Sequence, residues 1–143
     1  MSMYSQFKTD AAMEQSGVWL DYGDFKVKIA RAGGANNKFT KLLETRTKPF
    51  RRAMQTETMN NDKAMELLRG VYAEAIVLAW ETKVDGVFKS GIENPEGGDL
   101  IKFSAEAVTD VFNALPDLFA DIQEQSNKVA IFREELLESD AGN

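Results

Sequence analysis

The chain has neither cysteine nor histidine among its 143 residues. The first absence excludes disulfides, thiolate metal sites and cysteine nucleophiles. The second removes the commonest general base and metal ligand. Proline is scarce, at three residues, so each one marks a local break. Long apolar runs are also missing. The longest, "AIVLAW" at 75–80, is far short of the roughly 20 residues that a membrane-spanning helix needs. The opening "MSMYSQFKTD" has no apolar signal core, so secretion is not expected.

What remains is ordinary globular material. Hydrophobic residues make up 43% and charged residues 28%, and the length suits one domain, 1–143, with a single core. A net charge of −6 argues against nucleic acid as the main partner. The charge is unevenly spread. Residues 26–52 hold nine basic groups (Lys26, Lys28, Arg31, Lys38, Lys41, Arg46, Lys48, Arg51, Arg52) against Glu44 alone. With only Phe39 and Phe50 interleaved, that stripe is expected to meet acidic groups of its own fold or of a partner.

Residues 18–22 and 25–30 alternate in polarity around Gly23-Asp24. A two-residue turn there sets Val18 against Ile29, Leu20 against Val27 and Tyr22 against Phe25 on one face. Asp21 then opposes Lys26 on the other. A hairpin over 17–31 follows. Helices are expected at about 36–54, 61–81, 104–115 and 116–138, from apolar spacing and from caps at Asn36 or Asn37, Asn61 or Asp62, and Ser104. Pro49 should interrupt the first, and Pro116 suits the first turn of the last. Gly70 inside the second helix suggests close helix packing. Residues 82–103, with Asp85-Gly86, Asn94-Pro95 and Gly97-Gly98, read as a flexible loop with a loose second hairpin. The fold class is therefore α+β and mainly α-helical: a small N-terminal antiparallel hairpin packed on about four to five helices.

Candidate sites are few. "AGGAN" at 32–36 sits where a phosphate loop would, but it lacks the Gly-Lys-Ser/Thr ending and the dinucleotide glycine spacing. It reads as a flexible strand-to-helix turn. Asp85, Glu93, Glu96 and Asp99 do not follow the calcium-loop register. "KPFRR" at 48–52 is the densest local signal. It is either a helix restart with Phe50 packed and the charges solvated, or a docking site made of Lys48, Phe50, Arg51 and Arg52. No catalytic residue, metal site or cofactor is expected, and the chain is not expected to be an enzyme.

The ordered set "YSQFKTD", "GVWLDYGDFKVKIARAGGANNKF", "TKPFRRA", "VLAWE", a Gly/Asp loop leading to "FS", and "LPDLFADIQEQ" resembles the tail assembly chaperones of long-tailed bacteriophages and prophages. The resemblance spans about residues 4–140. It implies a non-catalytic protein that binds the tape measure protein and keeps it soluble while the tail tube assembles. It implies residence in the bacterial host cytoplasm and absence from the mature virion. It also implies a possible frameshift-extended form that engages the tail tube protein, with homo-oligomers allowed and no nucleic acid or membrane as partner. The alternative is a structural tail or head-completion protein that stays in the particle. A small nucleic-acid-binding regulator is a third reading.

Overall fold

The structure is a computed structural model that describes residues 2–133. It is an α+β fold, mainly helical, with one four-stranded antiparallel sheet of order β1-β2-β3-β4. Two short helices come first, α1 (Met3–Phe7) and α2 (Ala11–Ser16). Asp10 caps α2 by accepting from the Ala12 and Met13 amides. Gly17 ends it at φ +91°, where an added Cβ would come within 2.7 Å of Leu78. The chain can therefore turn directly into the sheet.

Strands β1 (Val18–Asp21) and β2 (Phe25–Ile29) form the expected hairpin in the expected register, with Val18 opposite Ile29, Leu20 opposite Val27 and Asp21 opposite Lys26. The Lys26 ammonium, however, takes its ion pair from Glu81 on the next strand, at 3.2 Å. After β2, α3 (Asn37–Thr47) is capped by Asn36. At Pro49 the chain tightens into a 3-10 turn (Lys48–Phe50) and resumes as α4 (Arg51–Gln55). That is the interruption a proline should cause.

The second long helix is shorter than its apolar pattern suggests. Helix α5 (Asn61–Ala75) starts one residue earlier at its cap, Asn60, and stops at Ala75 instead of near residue 81. Residues Val77–Val84 are strand β3, paired with β2. The misleading cue has a physical cause. A β-bulge between Lys28 and Ile29 leaves Leu78 unmatched, so Val77 and Trp80, three apart, both face the core. Burial at a spacing of three imitates a helix. Gly70 does not mark close helix packing either. A Cβ there would meet only the Arg46 guanidinium, at 3.7 Å.

The stretch 82–103 is a structured arm and not simply a loop. Asp85 and Gly86, both at positive φ, turn β3 into β4 (Val87–Ser90). Beyond Gly91 the chain folds back on itself through paired backbone bonds between Ile92 and Ile101. The arm is pinned to β3, because the Trp80 indole donates to the Ile101 carbonyl and the Thr82 hydroxyl to that of Gly91.

Two helices close the fold, α6 (Ala105–Ala114) capped by Ser104 and α7 (Pro116–Ser126) opened by Pro116. The last helix ends at Ser126, short of the expected 138. The Ser126 hydroxyl and the Asn127 amide both donate to the Gln123 carbonyl, replacing helical bonds with side-chain ones. A 3-10 turn (Val129–Phe132) follows and drives Phe132 to full burial. The remainder of that expected helix, from residue 134, lies outside the described residues. The core joins both layers: Val27 and Ile29 of β2, Trp80 of β3, and the edge-to-face series Phe39, Tyr72 and Phe119, with Phe112 beside them.

Candidate partner-binding groove

The glycine-rich turn at 30–36 is closed by the protein's own groups. Glu14 of α2 is buried and sends its carboxylate into the turn, where it accepts from the Arg31 guanidinium and from the Ala35 amide. The Glu14 carbonyl accepts from the Arg31 amide. Buried Asn36 donates to the carbonyls of Arg31 and Ala75, at 2.8 and 3.1 Å. A carboxylate thus occupies the position that a bound phosphate would need, and the expected flexible turn is tied on three sides. Gly34 is required by this contact, since an added Cβ would collide with the Glu14 carboxylate.

Most of the forward part of the basic stripe is likewise spent inside the fold. Lys26 pairs with Glu81, Arg31 with Glu14 and Arg46 with Glu74. Lys26 and Lys28 also lie over the Trp19 ring. Lys48, on the turn before α4, and Arg51 and Arg52, at the start of α4, are exposed and form no ion pair among the described residues. Phe50 is half-buried, with the Lys63 ammonium 5.6 Å from its ring centre.

An apolar groove lies elsewhere, where the sheet meets α6, α7 and the 91–102 arm. Phe25, Val27 and Trp80 form its floor. Ile92, Pro95 and Ile101 make one wall, and Val111, Ala114, Leu115 and Leu118 the other. Its volume is about 180 Å³, and Glu93 stands at the edge. Leu115 is 53% exposed at the mouth, where α6 gives way to α7. The floor is held to the helical wall by Tyr22. Its ring stacks on Phe25 at 4.8 Å, and its hydroxyl donates to Asp121 of α7 at 2.6 Å. Burial, and then the bond to and charge of Asp121, hold that phenol in its neutral form well above the ordinary tyrosine range.

None of Lys48, Phe50, Arg51 and Arg52 lines this groove. No sequence signal marks it, because its residues come from five separate segments between 25 and 118. A second apolar surface is the face of α1, where Met3, Tyr4 and Phe7 are all strongly exposed. Among the described residues, no group of three or more acidic side chains could hold a metal ion, and no helix is long and apolar enough to cross a membrane.

Comparison with curated proteins and with solved structures returned no match. A family model described as YdaY prophage protein matches residues 34–143, well over half of the chain. The match begins inside the tied glycine turn and takes in α3 to α7, both strands of the second hairpin and the arm. The chain therefore belongs to the YdaY prophage protein family.

Proposed function

We propose that this prophage protein is a non-catalytic tail assembly chaperone that holds the tape measure protein soluble before the tail tube forms around it. The carrying observation is the open apolar groove at the junction of sheet, arm and helices. A groove of this kind can bury apolar side chains that a helical client would otherwise expose to water. The net charge of −6 would keep the loaded complex dispersed.

In this reading Lys48, Arg51 and Arg52, which are exposed and form no ion pairs among the described residues, attract acidic stretches of the same long client from a distance, and Phe50 adds apolar contact. The protein acts in the host cytoplasm and leaves before the particle is complete. A frameshift-extended form would bring the tail tube protein to the loaded client.

Co-expression with the tape measure protein tests the proposal. The client should move from the insoluble to the soluble fraction and co-purify with this chain. Equal insolubility with and without the chain would overturn the proposal. So would stoichiometric recovery of the chain from purified particles, which is the signature of a structural tail or head-completion protein. Changing Arg51 and Arg52 to Glu should reduce capture and leave the fold intact.

A further inference from the structure

Size and charge together narrow the kind of segment the groove accepts. A cavity of about 150 Å³ is enough to hold a benzene ring. At about 180 Å³ the groove therefore has room for one large apolar side chain, and is too small for a folded helix or for the roughly 300–1,000 Å³ typical of small-molecule sites. Its lining is nearly all apolar, so the anchor is Phe- or Leu-like, with no buried polar partner to satisfy.

Charge supplies the rest. Both walls come from residues 92–118, inside a stretch, 92–124, that carries eight carboxylates against Lys102 alone. Glu93 stands at the groove itself, and exposed Glu96 is the next residue after the wall residue Pro95. Asp117 precedes Leu118, and Asp121 is bound to the Tyr22 hydroxyl behind the floor. Lys83 lines a neighbouring hollow beside Asp24 and Glu93, where carboxylates again outnumber it. An acidic rim around an apolar slot favours a cationic flank on whatever enters and repels an anionic one.

The geometry points to a basic amphipathic helix as the occupant, inserting a single Phe- or Leu-sized side chain into the slot with its Lys or Arg residues over the acidic rim. This rests on the groove being a client-binding site and adds the chemistry of the client segment.

The protein carries its own reporter. Trp80 forms part of the floor, and the other of the two tryptophans, Trp19, lies outside the groove. A Trp19→Phe variant therefore reports through Trp80 alone. The probe is a short Lys/Ala helical peptide with one central Phe, compared with a version bearing Glu for Lys and one bearing Ala for Phe. The Lys/Phe peptide should shift Trp80 emission in a saturable way, at least tenfold more tightly than either control, with the preference weakening as salt is raised. Glu93→Lys with Glu96→Lys should bring the Lys and Glu peptides to within about threefold of each other, or invert their order. Ala114→Phe, which fills the slot from an exposed position, should abolish the response in a protein whose circular dichroism is unchanged.

Lys and Glu peptides that bind alike, or a Trp80 signal silent to the Lys/Phe peptide in folded protein, would overturn the inference. The two proposals fail separately. A Trp80 response with no rescue of the tape measure protein removes the chaperone reading and keeps the groove's preference. Rescue with a silent Trp80 does the reverse.

Discussion

Two glycine-rich segments leave the sheet of this protein, and they end in opposite states. The turn at 30–36 has most of its donors engaged: Glu14 fills it, Arg31 neutralises Glu14, and Asn36 stitches it to the end of α5. The arm at 91–102 is pinned only at its base, through Ile92, Ile101 and the Trp80 indole. Its carboxylates reach solvent, and its apolar side chains wall an open slot. Glycine content made the two look alike. The first is structure because its charged and buried polar side chains are already paired within the fold, whereas the second has surface left over for a partner.

The contrast can be broken most severely at Glu14. Glu14→Ala would strand the Arg31 guanidinium and the Ala35 amide in a mostly buried site, a loss expected near 3 kcal/mol in urea unfolding. Asn36→Ala should follow at about 2 kcal/mol by the same measurement, since the Ala75 carbonyl loses its donor and α3 its cap.

Tyr22→Phe belongs to the open side and should cost about 1 kcal/mol, the value of one hydrogen bond. It carries a pH signature as well. The folded phenol holds its proton above the ordinary value of 10.0, while the unfolded one releases it there. The contribution is therefore complete below pH 10 and falls as pH rises beyond it. The stability of the wild type should decline more steeply than that of Tyr22→Phe above pH 10. Smallest of all, Glu93→Lys with Glu96→Lys should change unfolding stability by less than about 0.5 kcal/mol, because both side chains are solvent-facing. A large loss there would mean that the arm is as internally committed as the 30–36 turn.

Much of the frame was legible in the residues because it is written in local rules. Alternation fixed the register of β1 and β2, Pro49 and Pro116 punctuated helices, and Ser104 announced α6. Strand β3 was not legible, because the bulge at Leu78 placed Val77 and Trp80 at a helical interval. Glu14 was equally hidden. Its partners, Arg31 and Ala35, are 17 and 21 residues away, and no spacing rule links a carboxylate to a turn at that distance. The groove belongs to the same category, as it exists only once β2, β3, the arm, α6 and α7 converge. The basic cluster at 48–52 drew attention because it is contiguous, and contiguity is what sequence displays best.

The sheet's outer strands, β1 and β4, are only four residues long each, and Lys89 interrupts the second. Short, charged borders are poor templates for another chain's backbone. The chain can therefore meet neighbouring proteins through its side chains without its sheet being extended by their backbone.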